Sequence, residues 1–394
     1  MQYTTFLSLL ASLATANAVS QGFNYGNTMS DGSYKLEATY VSEFKRARTL
    51  QGTNGAFTSA RLYTMIQGGS TSDPIQAISA AISTKTTLLL GLWASGGQAH
   101  ITDEIAALKA AITQYGTAFT DLVVGISVGS EDLYRVSPTG IDNDSGAGAS
   151  PQELVNYIKQ TRSAIAGTSL SGAKIGHVDT WTAWVNGSNV AVTNAVDWLG
   201  VDSYPYFENT VANSIATSNK TFFDSYDNTV GASKGKEVWV TETGWPVSGP
   251  KDGQAVASIA NAEKYWQQTG CDLFGVTNTW WYTIQDDLGS VPSPSFGLIG
   301  ENINSAPLYN LQCKKKATKP TEVDSKNGTV STHGSSNGKG SATKTGKVTS
   351  LASASASASS AVTAAKASQN GAAAKAGSAA VAGIVAVFAL MVTL

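Results

Sequence analysis

Lys236-Glu237-Val238-Trp239-Val240-Thr241-Glu242-Thr243-Gly244-Trp245-Pro246 decides how this chain folds. A short apolar run, Val238-Trp239-Val240, leads into a carboxylate, Glu242, and breaks at Gly244-Trp245-Pro246. A buried strand fixes its backbone rigidly, and in a barrel of alternating strands and helices its C-terminal end opens onto the face where chemistry is done. A second stretch, Asp121-Leu122-Val123-Val124-Gly125-Ile126-Ser127-Val128-Gly129-Ser130-Glu131, has the same design and continues into Asp132-Leu133-Tyr134-Arg135. Two glutamates on the ends of two parallel strands are the minimum for cleaving a glycosidic bond. One carboxyl protonates the leaving oxygen, and the other attacks the anomeric carbon or activates water.

Six further apolar runs lie around these two, at 21–26, 60–63, 87–93, 173–179, 196–204 and 273–281. The run Thr87-Leu88-Leu89-Leu90-Gly91-Leu92-Trp93 is continuous, as expected of a strand covered on both faces. Segments with helical spacing separate the runs, at 34–50, 74–83, 101–116, 151–167, 211–223 and 253–268. Ser150-Pro151-Gln152-Glu153 has the pattern of a capping box with proline in the first turn. Eight apolar runs alternating with helices predict an α/β fold, a (β/α)8 TIM barrel. The alternative, an open doubly wound sheet, lacks its glycine fingerprint here.

The chain has 394 residues, 42% hydrophobic and 14% charged, enough for a sizeable core. A formal net charge of -2 gives no basic field for nucleic acid, and 3 His with 2 Cys make a His/Cys metal cage a poor reading. No glycine-rich phosphate loop is evident, so neither metal nor organic cofactor is expected. Residues 1–18 read as a secretory signal, with an apolar centre and a small-residue site at Ala16-Asn17-Ala18. The barrel then occupies 19–313. From Lys314 the composition turns to Lys, Thr, Ser, Gly and Ala, which cannot bury a core, so 314–370 is expected to be a disordered stalk. Residues 371–394 end in a short apolar tail, the pattern of a glycosylphosphatidylinositol (GPI) signal removed after attachment at Asn370. Secretion gives meaning to the sequons at Asn143, Asn186, Asn219 and Asn327. It also allows Cys271 and Cys313 to pair, the alternative being two separate buried thiols.

Val128-Gly129-Ser130-Glu131 with Leu133-Tyr134-Arg135, and Val240-Thr241-Glu242-Thr243-Gly244-Trp245-Pro246, resemble glycoside hydrolase family 17, in particular its fungal secreted β-1,3-glucanases. Phe23-Asn24-Tyr25-Gly26 and Val201-Asp202-Ser203-Tyr204-Pro205-Tyr206 resemble the same family, and the likeness runs over 21–313. It implies a retaining mechanism, Glu131 as acid/base, Glu242 as nucleophile and Tyr204 as a donor to Glu242. It also implies β-1,3-glucan as substrate, and an anchored, wall-directed location at the outer face of the cell membrane or in the cell wall. The wider clan carries Asn before the acid/base glutamate, where it binds the sugar 2-hydroxyl. Ser130 stands there, and its hydroxyl is a shorter donor and acceptor.

Sugars present apolar C–H faces, so aromatic residues at strand ends are candidate platforms. Trp280 and Trp281 are the foremost, with alternation sending one into the barrel mouth and the other outward; Tyr25, Tyr134, Tyr206, Trp245 and Tyr282 are further candidates. Three activities fit: an endo-β-1,3-glucanase acting as a monomer, a transglycosylase using the same covalent intermediate, and a non-catalytic glucan-binding wall protein. A binding module has no need of both acids.

Overall fold

The computed structural model describes residues 19–29, 31–286, 293–300 and 302–314. The expected signal, the stalk from 315 on, Asn327 and Asn370 lie outside them. Eight parallel strands close into a barrel in sequential order. They are β1 (Gln21–Tyr25), β2 (Ser59–Leu62), β3 (Thr87–Leu92), β4 (Val123–Ser130), β5 (Ile175–Thr180), β6 (Trp198–Asp202), β7 (Glu237–Glu242) and β8 (Thr279–Trp281). Closure is made by β1 against β8, where Gly22 pairs with Trp280 and Phe23 with Trp281. All of the described residues belong to one compact unit.

Strand alternation sorts the apolar residues into two cores. On β3, Leu88, Leu90 and Leu92 join the outer core between sheet and helices, while Leu89 points into the barrel. There it meets Val178, Trp198, Trp239 and Trp280, which fill the interior as side chains fill any small barrel. Trp198 and Trp239 stack with centroids 4.0 Å apart. Room for them comes from two glycines. A Cβ on Gly176 would lie 2.3 Å from the Trp198 ring, and one on Gly125 would lie 2.8 Å from Trp239.

The helix Pro151–Ile165 starts on the capping box, with Ser150 and Glu153 satisfying each other's backbone N–H groups. Two expected elements are displaced. The helix expected at 211–223 forms instead over Ser218–Ala232. Asn213, buried ahead of it, donates to the carbonyls of Tyr206 and Asp252 and accepts from Gln254 N, so its side chain ties this stretch into loop structure. The strand expected at 273–281 is only Thr279–Trp281, because the chain turns at Gly275 (φ 76°) and leaves Val276 73% exposed. Cys271 and Cys313 form a disulfide that ties the end of the described chain to the helical segment before β8.

Candidate active site

Both glutamates follow a break in strand register. On β7, Trp239 and Thr241 point into the barrel and Val240 points out to the helices. Strict alternation would send Glu242 outward as well. The register against β6 instead skips a residue, pairing Val201 with Val240 and then Asp202 with Glu242. This bulge leaves Thr241 and Glu242 both on the inner side. On β4, Ser127 pairs with Gly176 and Ser130 with Val178, so β4 spends three steps where β5 spends two. Gly129 takes φ 84°, and a Cβ there would lie 2.2 Å from Asp132 Oδ2. Glu131 itself is left-handed at φ 58°, a conformation that costs a non-glycine residue energy and recurs at functional sites. The helical turn Asp132–Arg135 follows directly.

The two carboxyls sit in different surroundings. Glu242 is fully buried, and both of its oxygens accept hydrogen bonds. Arg61 Nη1 donates to Oε1 at 2.5 Å, and the Tyr204 hydroxyl donates to Oε2 at 2.7 Å. That is the setting of an ionised nucleophile. Glu131 is paired with Arg135, whose Nη2 lies 3.3 Å from Oε2. Burial pushes the Glu131 carboxyl up to about 7; Arg135 opposes this and the Glu242 charge adds to it. A carboxyl poised there can hold a proton for a leaving group and take one back.

Arg61 connects the two sides of the mouth. Its Nη2 donates to Ser130 Oγ at 3.0 Å, so the serine expected at the sugar is held against the same guanidinium as Glu242. Asn24 accepts from Arg61 Nη1 at 2.7 Å and donates to the carbonyls of Thr241 and Trp280, tying β1 to β2, β7 and β8. Sequence reasoning missed Arg61 and Asn24. Their signal is a polar side chain inside an apolar strand run, which has to find partners when buried. Asp202 lies beneath Glu242, accepting from Thr241 Oγ1 at 2.7 Å. Burial and then the Glu242 charge hold its carboxyl well above the ordinary range.

The candidate aromatic platforms are corrected. Trp280 is wholly buried in the barrel interior, its indole N–H donating to Ser59 Oγ. Trp281 is buried on the opposite side of the sheet against Tyr265, Trp266 and Phe274. Neither reaches the mouth, because β8 ends at Trp281 and the next residue, Tyr282, is the half-buried one. Tyr25 points outward from β1, edge-on to Phe44 with centroids 5.0 Å apart, and lies in the outer core. Tyr134, Tyr206 and Trp245 are buried too. The aromatic wall beside Glu242 is Tyr204 with Tyr282 and Phe296, the last two 5.4 Å apart.

Of the sequons, Asn186 is exposed, and its Oδ1 accepts from Ser188 N and Oγ. Asn143 is half-buried and donates to the Tyr134 hydroxyl. Asn219 lies at the start of the helix Ser218–Ala232, and its amide nitrogen donates to Gln268 O and Thr269 Oγ1. Among the described residues no group of three or more His, Cys, Asp or Glu side chains is arranged to hold a metal ion.

A closed parallel barrel carrying a hydrogen-bonded carboxylate and a proton-holding carboxyl at its mouth is the working centre of a glycoside hydrolase. The chain belongs to the family described as the BtgE/BtgC glycoside hydrolase domain, whose model matches residues 22–297. It is 59% identical over 318 residues to a probable glucan endo-1,3-beta-glucosidase of Aspergillus fumigatus, covering 81% of this chain and 70% of that protein. It is 28% identical over 291 residues to a glucan 1,3-beta-glucosidase of Saccharomyces cerevisiae, covering 69% of this chain and 84% of that one. Among solved structures it is similar to a glycoside hydrolase family 17 beta-1,3-glucanosyltransferase from Rhizomucor miehei. That match has a TM-score of 0.60 and 25% identity, covering 75% of this chain and 98% of the other.

Proposed function

We propose that the barrel cleaves β-1,3-glucan internally with retention of anomeric configuration. The observation that carries this reading is the difference between the two carboxyls. Glu242 accepts from both Arg61 and Tyr204, while Glu131 is pushed up to about 7. Glu242 attacks the anomeric carbon as Glu131 gives its proton to the glycosidic oxygen. The C–O bond breaks, the leaving chain departs with the proton, and the sugar stays on Glu242 as an ester. Glu131, now a carboxylate, takes a proton from water as the water attacks the same carbon, and Glu242 is released. Likeness to the Aspergillus relative supports the β-1,3 linkage and the endo action.

The likeness to the Rhizomucor glucanosyltransferase favours a second outcome at the same site, in which a sugar hydroxyl intercepts the ester in place of water. Both are tested by the product profile of the purified protein on reduced laminari-oligosaccharides, beside Glu242→Gln. Shorter products, lost in the variant, are expected; products longer than the substrate identify transfer. Retained turnover in Glu242→Gln would remove Glu242 from the mechanism.

The signals at both ends support a protein held outside the cell on the 314–370 stalk, through a GPI anchor at Asn370, facing wall glucan. A phosphatidylinositol-specific phospholipase is then expected to release it from membranes. Resistance to that enzyme would count against the anchor.

A further inference from the structure

We propose that His177 is a positioning residue for Glu131: a buried imidazolium that fastens the backbone on either side of the acid/base glutamate. His177 sits on β5 with no exposed surface and is no part of the substrate-facing mouth. Its Nδ1 lies 2.7 Å from the Val128 carbonyl and its Nε2 lies 2.9 Å from Asp179 Oδ2. A carbonyl oxygen can only accept, so Nδ1 carries a hydrogen. Asp179 also accepts from Leu133 N, Tyr134 N and Thr180 N, a set of donors that favours the carboxylate over the acid, so Nε2 is assigned a hydrogen as well. An imidazole with a hydrogen on each nitrogen is a cation.

The groups held by this cation surround Glu131. Val128 lies within the bulge before it, where β4 has slipped against β5. Ser130 N, one residue before, donates to Asp132 Oδ2 at 2.9 Å, while Asp132 Oδ1 accepts from Ser95. Leu133 N and Tyr134 N, just after it, end on Asp179, which caps the following turn from another strand. All of this converges on Gly129, where an added Cβ would meet both Asp132 Oδ2 and His177 Cε1. Glu131 is thus kept in its left-handed conformation by two carboxylates, and His177 orients the one that caps the turn.

The charged groups facing His177 are Asp179 on its own strand and Asp132 on the turn after β4, with Arg135 beyond Asp132. Trp184, from the helix Trp181–Val185, closes the other side edge-on, 5.6 Å between centroids. Burial opposes the charge. The Asp179 bond, the charges of Asp179 and Asp132 and the Val128 carbonyl outweigh it, and the imidazole is held above its ordinary value. His177 therefore keeps its charge past the pH at which an ordinary histidine loses it, and the fastening fails only as pH rises through that raised value.

The test starts from the nitrogen nuclei of the wild-type protein. The chain has 3 histidines, so 15N-histidine labelling gives a spectrum in which the His177 signals are identified by their loss in His177→Gln. An ordinary histidine loses its charge near about pH 6.5. As pH is raised, both His177 nitrogens are expected to keep protonated shifts past that point, and a midpoint at or below the ordinary value would overturn the proposal. The second arm compares kcat/KM of His177→Gln on laminari-oligosaccharides, whose leaving group needs the proton of Glu131, and on a dinitrophenyl β-laminaribioside, whose leaving group does not. A loss of about tenfold or more on the oligosaccharide, with the aryl substrate within about threefold, is expected. Equal losses on both, as a merely structural role gives, or no loss on either, would overturn it. This arm rests on the glucanase reading. A wild-type protein with a charged His177 and no cleavage of either substrate would sink that reading, while the nitrogen signal still decides the charge.

Discussion

Replacing Glu131 with glutamine is expected to stabilise the protein at neutral and alkaline pH while removing its activity on glucan. The carboxyl is pushed from 4.5 to about 7 on folding, chiefly by burial. A folded state that holds a proton more tightly than the unfolded chain loses stability as pH rises between the two values, and nothing further is lost above the higher one. At 1.36 kcal/mol for each pH unit, the full difference is worth about 3 kcal/mol. The side chain is 15% exposed, so water reaches part of it, and roughly 1–3 kcal/mol is the expected gain. Glutamine has the same shape, carries no charge, and keeps an oxygen that can accept from Arg135. In a domain of this size the gain corresponds to about 2–10 °C in Tm. The assay is Tm against pH for both proteins by scanning calorimetry. The two curves should coincide near pH 4, separate between about 4.5 and 7, and run parallel above. Neighbouring groups such as Asp132 and Asp202 titrate in both proteins, so they largely cancel in the difference. Equal Tm values at pH 8, or a variant less stable at every pH, would refute the account of Glu131 as a carboxyl whose ionisation the fold resists.

Tyr204→Phe removes one donor to Glu242 and leaves the ring against Phe296. A hydrogen bond to a charged group is worth about 1.5–3 kcal/mol, so kcat/KM on laminari-oligosaccharides should fall about ten- to a hundredfold with Tm nearly unchanged, and unaltered kinetics would exclude the contact from the mechanism. Trp281→Ala should act in the opposite sense, lowering stability by about 3–5 kcal/mol in denaturant melts while the folded fraction keeps its KM. A raised KM with intact stability would put the indole at the sugar after all.

The eight strands and the two glutamates were legible because apolar runs and their endings survive any small change of register. Tyr204 was legible for the same reason, two residues past the end of β6. The facing of Glu242 was not, because period-two counting from Trp239 turns it outward and only the bulge against β6 turns it back. Aromatic residues at strand ends misled the search for sugar contacts. A barrel this small fills its interior and its outer layer with the largest side chains available, so Trp280 and Trp281 each went into a core. The better signal lay in the polar residues that interrupt apolar runs. Asn24 stands between Phe23 and Tyr25, Arg61 between Ala60 and Leu62, and each flanking pair faces the helices. A polar residue buried inside such a run has no helix-side partner and must turn inward, where only another polar residue can satisfy it. Asn24, Arg61, Thr241 and Asp202 meet that requirement through one another and through Glu242. Taking the interruptions as a set, and requiring each to find a partner within the barrel, leads from β1 and β2 to Glu242 on β7 without any appeal to the aromatic residues.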